Sequence, residues 1–573
     1  MRELSEALAD AKLIVLDVET LKVDTFTGKD LLGVAIGVPR GIDVDGYYVL
    51  PADLHKYKTR LSELDIVAHN ILFDAEIMEQ NGVPLNGGWY DTLTMAHLNN
   101  ENEFNFGLDS LARKYCGVGK LPMKEVEKAF GHWNNIPVEL MEPYAKNDVA
   151  ITWKLFMYLT AKLAEQGLTK LYENYKEYLK ALQYIQAQGI VVDWDMVERR
   201  RVEAEQQLKR LQYVELGYDP SKSSVLDYRL YEVAGLPVIQ RTEVTHKPKT
   251  DVAVLQALRE SYPEHRLELD RILRYRNLQK ANGNWYAGYL KYKDETGLIH
   301  PNFKVHGTQT GRLSCEAPNL QQIPRDYSRV KCFFRDNPAR SEVLVELDFS
   351  QIELRVAAYY AMKAKDPTMY NIYKEGGDVH SRSAELVGAY DQIANRSEAR
   401  QVGKTGNFLW IYGGGPKTMS AQLYRQFGFS SSREQCKDWG NRFHASYPGF
   451  QRCIDKSSRK HQRDGYITFF NGRRRRIRER DAFGATAHRK AFNAIVQGGC
   501  SQLLMYSIIK IHRAIEAGEV RARVCNTVHD SLWVYVPAEG IDEETEKLSA
   551  LMCSMPERVF QLPFDIDAKV MVQ

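Results

Sequence analysis

The strongest constraint on the fold of this chain is an apolar, β-branched run that stops at a single acid. Residues 343–355 read Val-Leu-Val-Glu-Leu-Asp-Phe-Ser-Gln-Ile-Glu-Leu-Arg, and Asp348 stands where the apolar pattern ends. This pattern predicts a buried strand that delivers a carboxylate to its end. A charge at the edge of burial is costly to desolvate without a partner, and a divalent cation suits a carboxylate well. The simpler interpretation is a strand followed by a helix that Asp348 or Ser350 caps.

A second acid lies far along the chain, between two more apolar runs. Residues 524–528 and 532–536 are largely apolar and flank the short polar turn His529-Asp530-Ser531. The arrangement predicts a β-hairpin that presents Asp530 at its turn. Two aspartates from separate strands that meet over one cleft can hold two Mg²⁺ about 4 Å apart and clamp the oxygens of a phosphoryl transfer. Together the two acids favour a metal-dependent site over a helix cap.

The first segment of the chain carries four further acids and a tyrosine. Asp17 and Glu19 alternate onto one face of a predicted strand, which makes half of a metal site. Asp74 and Asp148 follow downstream, and Tyr144 lies one helical turn before Asp148. Each acid taken alone is more simply a solvated surface residue. In this order and spacing the five residues resemble the DEDD 3′–5′ exonucleases of the tyrosine subtype, which implies that the four acids bind two metal ions and that the tyrosine orients the attacking water.

Cations and aromatics recur every fourth residue in a later segment. Arg400, Lys404, Phe408 and Tyr412 have this spacing, so we expect them along one face of a helix that residues 413–416 end. Cations suit a triphosphate, and an aromatic plane suits a nucleobase or a sugar. An aromatic stripe at this spacing more often faces a core, but the two cations in line with it favour a nucleotide-binding face.

Composition bounds the remaining possibilities. At 573 residues, 44% apolar and 26% charged, the chain has room for several globular domains. Its net charge of +3 is too weak to indicate a polyanion partner, so any nucleic-acid surface must be local. The eight cysteines form no Cys-x-x-Cys pair, so we expect reduced thiols and no zinc site. We also expect no targeting or membrane-spanning segment.

Longer motifs carry a second resemblance, which together with the exonuclease segment spans nearly the whole chain. They stand, in order, at residues 306–314, 318–324, 348–355, 378–380, 400–413, 489–498 and 529–530. The first reads His-Gly-Thr-Gln-Thr-Gly-Arg-Leu-Ser and the last His-Asp. Together they resemble the motifs of family A DNA polymerases, the bacterial DNA polymerase I type. A compact, phage-like member is expected.

The resemblance implies an α+β multidomain fold. A ribonuclease-H-like α/β exonuclease domain is expected at residues 1–165 and a right-hand polymerase domain at residues 166–573. Within the polymerase domain it implies a helical thumb near 193–290, an antiparallel palm sheet near 291–372 and 486–573, and helical fingers near 373–485. The implied partners are primer–template DNA and dNTPs, and the implied cofactor is Mg²⁺, two ions at each of two sites. A monomer in the cytoplasm of a bacterium or a phage-infected host is expected.

The same resemblance implies roles for individual residues. Asp348, Asp530 and the backbone carbonyl of Phe349 bind the metals of the palm, while Arg400 and Lys404 offset the charge of the departing pyrophosphate. The implied substrate-binding residues are Phe408, Tyr412, Glu353, His380, Gln351, Arg312, Arg489, Asn493, Gln497 and His529. Among these, the stripe at 489, 493 and 497 is expected with Arg312 in the minor groove, where donors check pairing geometry without reading sequence. A polar stripe alone is more simply surface.

One departure from the family is visible in the sequence. The family usually has Glu after the His-Asp pair, whereas this chain has Ser531. Any accessory role of that carboxylate is therefore absent or moved elsewhere. Two other interpretations stay open at this stage: a non-catalytic, polymerase-like accessory subunit that binds DNA, and an exonuclease with a silent palm.

Overall fold

The N-terminal part of the chain folds as a mixed sheet enclosed by helices. The computed structural model describes residues 3–21, 30–324, 330–477 and 484–571, without the side chains of 484–489. The strands of this part are β1 Leu13–Thr20, β2 Leu31–Arg40, β3 Asp43–Val49, β4 Asp65–Ala68 and β5 Trp89–Asp91. Its helices are α1 Leu4–Asp10, α2 Lys58–Glu63, α3 Ile71–Gln80, α4 Thr92–Asn99, α5 Leu108–Cys116, α6 Lys124–Phe130 and α7 Val138–Glu165.

Strand β1 lies at the centre of this sheet and brings its acids beside α7. The strand order is β3-β2-β1-β4-β5, with β1 antiparallel to β2 and parallel to β4. Ala145 and Val149 of α7 are buried against Val15 of β1, in a small core of their own. This packing fixes α7 across the sheet, so Asp148, next to Val149, reaches the strand that carries Asp17.

A helical region follows and has a separate small core. Its helices are α8 Thr169–Gln188, α9 Trp194–Lys209, α10 Ser223–Asp227, α11 Val252–Ser261, α12 Arg266–Ala281 and α13 Ala287–Leu290, with the two-residue strand β6 Ile190–Val191 after α8. Leu226, Leu255 and Leu269 are fully buried together with neighbouring leucines and isoleucines, apart from the main core. No helix within the described residues is long and apolar enough to cross a bilayer.

A second, antiparallel sheet holds the acids of the C-terminal half. Its strands are β10 Glu342–Phe349, β13 Arg523–Val528, β14 Ser531–Pro537 and β15 Ile566–Val570, in the order β13-β14-β10-β15. Three short strands precede β10, namely β7 Leu298–Ile299, β8 Phe303–Lys304 and β9 Ser314–Cys315. Leu347 and Leu532 pair across β10 and β14 and are fully buried, as the apolar runs of the sequence predict.

Helices surround this second sheet. They are α14 Ile352–Lys363, α15 Thr368–Lys374, α16 Val379–Leu386, α17 Ala389–Gln392, α18 Arg396–Trp410, α19 Pro416–Phe427, α20 Arg433–Ser446, α21 Pro448–Asp464, α22 Gly484–Glu516 and α23 Ile541–Phe560. A two-stranded ribbon, β11 Ile467–Thr468 with β12 Arg474–Arg475, lies between α21 and α22. Large aromatic side chains fill the core among α18, α20 and α21, where Trp410, Trp439 and Phe450 are almost fully buried.

Candidate active sites

The C-terminal sheet brings Asp348 and Asp530 to neighbouring strand ends. Asp348 pairs with Ser531 in the register of β10 and β14, and the backbone N–H of Phe349 lies 3.5 Å from the carbonyl oxygen of Asp530. His529 and Asp530 form the two-residue turn between β13 and β14, so the predicted hairpin is confirmed. The helix-cap interpretation of Asp348 is wrong, because the N-cap of α14 is Gln351 and no side chain caps that helix.

Two residues beside this pair have left-handed backbone conformations. Gln351 has φ of 54° and His529 has φ of 57°. Such conformations cost about 1–3 kcal/mol for residues other than glycine and cluster at functional sites. The Gln351 side chain is also fixed, since its Oε1 accepts a hydrogen bond of 2.9 Å from the Tyr373 hydroxyl. The backbone that follows Asp348 and the backbone that precedes Asp530 therefore each include a residue with a specific, uncommon conformation.

Glu353 is clamped between two side chains at this site. Arg312 Nη2 donates to Glu353 Oε1 at 2.6 Å, and the Tyr412 hydroxyl donates to Oε2 at 3.4 Å. Burial raises the pKa of Glu353; Arg312 opposes that rise, and Asp530 adds to it. Arg312 and Asp530 line one cavity of about 230 Å³ together with His529. The fold thus gathers these residues, which are far apart in sequence.

Three residues near the two aspartates, two acids and one cysteine, were not predicted from the sequence. Asp567 pairs with Asp348 in the register of β15, and Glu346 lies two residues before Asp348 on the same strand face. The Ser531 hydroxyl donates to Glu346 Oε1 at 3.3 Å, and Lys331 Nζ lies 2.7 Å from Oε2. A carboxylate therefore does meet Ser531, but it comes from the neighbouring strand. Cys500 is fully buried, and burial, Asp530 and Glu353 raise its pKa well above the usual value.

The stripe of cations and aromatics lies only partly on a helix. Helix α18 ends at Trp410, so Tyr412 stands beyond it, in a turn where Gly413 N–H bonds to the Trp410 carbonyl at 2.9 Å. Lys404 is exposed and Phe408 is 40% exposed, on one face of α18. The expectation that all four residues share a helix is wrong at its last member, because the regular helix ends at Trp410, two residues before Tyr412, and Tyr412 belongs to the turn that the glycines at 413 and 414 close.

Arg400 and His380 are tied together through Asp378. Arg400 forms a fork with this carboxylate, with Nε–Oδ2 and Nη2–Oδ1 distances of 2.7 and 3.1 Å, and Asp378 accepts from the backbone N–H of His380 at the start of α16. Burial would raise the pKa of Asp378, but the hydrogen bonds from Arg400 and Ser381 hold it well below its usual range. His380 is 4% exposed, and burial with nearby Arg400 lowers its pKa to about 4, so its ring is neutral at pH 7.

Helix α22 presents the second predicted stripe. Asn493 and Gln497 are half-buried on this helix. Among the described residues, no group hydrogen-bonds to the buried Oδ1 of Asn493. The backbone of Arg489 belongs to the helix, but its side chain lies outside the described residues. The structure therefore shows where two of the three side chains lie.

The N-terminal sheet gathers a second set of acids. Ligand atoms of Asp17, Glu19 and Asp148 lie within 4.8 Å of one another, although α7 and β1 are far apart in sequence. Asp74, on α3, accepts a hydrogen bond of 3.1 Å from the backbone N–H of Val18 between the two strand acids. Asp74 is not one of the three acids whose ligand atoms lie within 4.8 Å of one another. Burial and then the charge of Asp17 nevertheless raise the pKa of Asp74 well above its usual value.

Burial and mutual repulsion shift the pKa values of these acids strongly. Burial and then the Asp148 carboxylate raise the pKa of Asp17 to about 7. Burial, Asp17 and Asp148 raise the pKa of Glu19 to about 8. Such crowding opposes ionisation and is relieved by a bound cation.

A metal ion fits this cluster. Asp148 is fully buried, yet among the described residues no group hydrogen-bonds to its Oδ1. An unpaired buried carboxylate oxygen costs several kcal/mol unless a cation meets it. A carboxylate-only donor set is also the kind that Mg²⁺ and Mn²⁺ prefer.

Lys120 and Trp133 reach this cluster and were not found from the sequence. Lys120 Nζ forms an ion pair with Asp148 Oδ2 and lies 3.3 Å from the Tyr144 hydroxyl. The Trp133 side chain hydrogen-bonds to Glu19, and its ring meets the Tyr144 ring edge to face at 5.9 Å between centroids. Lys120 precedes and Trp133 follows the short helix α6, in the stretch between α5 and α7, where no periodicity of the sequence marks them.

Comparisons with known proteins agree with this architecture. Residues 195–572 match the model of DNA polymerase family A, and residues 1–164 match a 3′–5′ exonuclease family. DNA polymerase I of Borreliella burgdorferi is 25% identical over 96% of this chain and 61% of its own length. The thermostable DNA polymerase I of Thermus thermophilus is 31% identical over 73% of this chain and 50% of its own length. The chain thus spans about half to three fifths of the length of these relatives.

A solved structure shows the same fold. The POL domain of Pol1 from M. smegmatis, in complex with DNA primer-template and dNTP, has a TM-score of 0.82 and 22% identity, covering 99% of this chain and 96% of that one. The likeness confirms the expected α+β fold class, with an exonuclease domain followed by a polymerase domain.

Proposed function

The chain belongs to DNA polymerase family A, and we propose that it is a template-directed DNA polymerase that proofreads with a 3′–5′ exonuclease. The observation that carries the proposal is the meeting of Asp348 and Asp530 at neighbouring strand ends, beside the Arg312–Glu353–Tyr412 clamp. An acid pair beside a fixed polar group suits transfer of a nucleotidyl group to a primer end. The proposed substrates are primer–template DNA and dNTPs.

We propose that the described helices divide as the resemblance implies. The thumb comprises about residues 193–290, the palm about 291–372 and 486–573, and the fingers about 373–485. The separate core of the helical region between α9 and α12 supports a thumb that moves as a unit. A monomeric, phage-like enzyme remains a prediction.

In the palm, the proposed ligands of two Mg²⁺ are Asp348, Asp530 and the Phe349 carbonyl. Bound Mg²⁺ supplies Lewis-acid activation of the primer 3′-hydroxyl and neutralises the triphosphate. Lys404, exposed on α18, and Arg400 offset charge on the departing pyrophosphate. The structure holds Arg400 on Asp378, so the triphosphate must compete with that carboxylate for the guanidinium.

In the exonuclease domain, the proposed ligands of two Mg²⁺ are Asp17, Glu19, Asp74 and Asp148. Tyr144 orients the attacking water, which its place beside the cluster supports. The same chemistry then hydrolyses the terminal phosphodiester of a frayed primer.

A labelled primer–template incubated with Mg²⁺, with and without dNTPs, tests the proposal in one gel. A polymerase with proofreading extends the primer with dNTPs and shortens it without them. Binding with neither change would indicate an accessory subunit, and shortening under both conditions would indicate an exonuclease with a silent palm.

Glu353 is expected to exclude ribonucleotides by its volume. Its carboxylate is fixed by Arg312 and Tyr412, and we propose that it fills the space a ribose 2′-hydroxyl would need. An apolar pocket rejects an added hydroxyl by only about 10²-fold, so Glu353→Ala should bring dNTP-over-rNTP discrimination down to about that level or lower. The measurement is the ratio of kcat/KM values for dATP and rATP on one template.

The Glu353→Gln variant is the matched control, because it keeps the volume and removes the charge. Discrimination in this variant should stay within a few-fold of the wild type. Unchanged discrimination in Glu353→Ala would show that another residue excludes the 2′-hydroxyl.

Phe408 is expected to reject chain terminators. It lies one turn after Lys404 on the exposed face of α18, where we propose that it meets the sugar of the incoming nucleotide. Phe408→Tyr supplies a hydroxyl that a dideoxynucleotide lacks, and one such hydrogen bond is worth roughly 10- to 100-fold. The ratio of dTTP to ddTTP incorporation, measured in an exonuclease-inactive background, should fall by that factor.

Phe427→Tyr provides the control, since Phe427 is a similarly exposed phenylalanine at the end of the next helix, α19. Its ratio should not change. An unaltered ratio in Phe408→Tyr as well would mean that this face of α18 does not meet the sugar.

A further inference from the structure

Among the residues that the structure describes, Lys120 is the one cation that forms an ion pair with an acid of the exonuclease cluster. Its Nζ contacts Asp148 Oδ2 and lies 3.3 Å from the Tyr144 hydroxyl, with the Tyr144 ring centroid at 5.3 Å. Asp148 is fully buried, and the Lys120 side chain is 31% exposed. A single ammonium therefore touches both a proposed metal ligand and the residue proposed to orient the water.

The backbone around Lys120 is held in place for this contact. The Lys120 N–H donates to Asp109 Oδ1 at 2.7 Å, and the Gly119 carbonyl accepts from Asn147 Nδ2 at 3.2 Å. Asn147 directly precedes Asp148 on α7, so the loop is tied to the helix that carries the acid. Because both ends of the contact are fixed, the lysine is preorganised rather than loosely associated.

Tyr144 is enclosed from two sides. Lys120 approaches its hydroxyl and ring, and the Trp133 ring packs edge to face against it at 5.9 Å. A tyrosine that must orient a water needs its hydroxyl direction fixed, and the only described cation that hydrogen-bonds to it is Lys120.

We propose that Lys120 is a positioning residue of the exonuclease site, which holds Asp148 and the Tyr144 hydroxyl in their working arrangement at the cost of weaker metal binding. The inference rests on the proposed exonuclease function. The positive charge and the metal ion attract the same carboxylate and repel each other, so the two effects of removing the lysine have opposite signs. A residue with only a structural role would weaken metal binding and activity together.

The test compares Lys120→Met with the wild-type full-length protein. Mn²⁺ binding, measured by calorimetry without DNA, should become at least about tenfold tighter, because a repelling charge is removed. Degradation of a single-stranded oligonucleotide at saturating Mn²⁺ should fall roughly 10- to 100-fold in kcat, since an oriented charge-assisted hydrogen bond is lost.

Two further variants separate positioning from folding. Lys120→Arg keeps the charge and should retain near wild-type Mn²⁺ affinity with partial recovery of kcat. Lys114→Met removes an ion-paired lysine of the same domain, whose Nζ lies 2.6 Å from Glu103 Oε2, and should change neither quantity.

The outcomes distinguish the two proposals. Wild-type protein that fails to degrade the oligonucleotide would contradict the exonuclease function. If the wild-type protein degrades the oligonucleotide but Lys120→Met binds Mn²⁺ no more tightly than the wild type, the proposed role of Lys120 is overturned, whether or not kcat falls. Unchanged kcat in that variant would overturn it equally.

Discussion

Primer extension by the Asp530→Asn variant is expected to fall by at least about 10²-fold, while degradation of a single-stranded 3′ end stays at the wild-type level. The substitution keeps the shape of the side chain and removes its charge. Loss of one preorganised electrostatic stabiliser costs about 10²–10³-fold in kcat. The acids of the exonuclease cluster come from β1 and α7, and neither element includes Asp530. The substitution should therefore leave exonuclease activity unchanged.

Single-nucleotide incorporation on a primer with an annealed template measures the effect, with trimming of the unannealed primer measured in parallel. Asp542→Asn is the control, because it is the same substitution at an exposed aspartate in the first turn of α23. Extension by Asp530→Asn within a few-fold of the wild type would show that the palm assignment is wrong. Loss of both activities would instead indicate a global defect, which the melting temperature would reveal.

The parts of this site that were predictable from the sequence are those that one strand or one turn defines locally. Asp348 was visible because the apolar run before it predicts a strand, and Asp530 because two apolar runs around a short turn predict a hairpin. Local pattern did not show which strand would lie beside β10. The register alone places Asp567 opposite Asp348 and brings Glu346 to Ser531.

Two residues of the stretch between α5 and α7 could not be predicted for a related reason. Lys120 and Trp133 follow no helical or strand period, and their role near Asp148 and Glu19 arises only when α7 packs across the sheet. Tyr412 shows the opposite error, since a fourfold spacing was extended past the residue where the helix ends. A spacing in the sequence predicts which residues share a face only within the helix or strand that has this spacing.

The double variant Asp17→Ala with Glu19→Ala is expected to lower 3′–5′ degradation by at least about 10²-fold and to raise misincorporation during primer extension. Both side chains belong to the cluster that fits a metal ion, and their removal leaves Asp148 as the one remaining carboxylate of that cluster. Extension itself should continue, because the palm acids lie on the other sheet. Trimming of a labelled single-stranded oligonucleotide and the error rate on a gapped template are the two measurements.

The stability of this double variant separates a lost site from a lost fold. The pKa values of Asp17 and Glu19 rise from ordinary values of 3.8 and 4.5 to about 7 and about 8 in the folded chain. The unfolded state therefore loses these protons at lower pH than the folded state does. As a result, the folded state loses stability as the pH rises from the unfolded pKa values to the folded ones. Without these acids, the melting temperature in EDTA at pH 8 should be no lower than that of the wild type. Asp43→Ala with Glu63→Ala, two exposed acids of the same domain, should leave trimming unchanged. Continued trimming by the Asp17→Ala, Glu19→Ala protein would place the nuclease elsewhere, and a lower melting temperature at pH 8 would show that the crowded acids stabilise the metal-free fold.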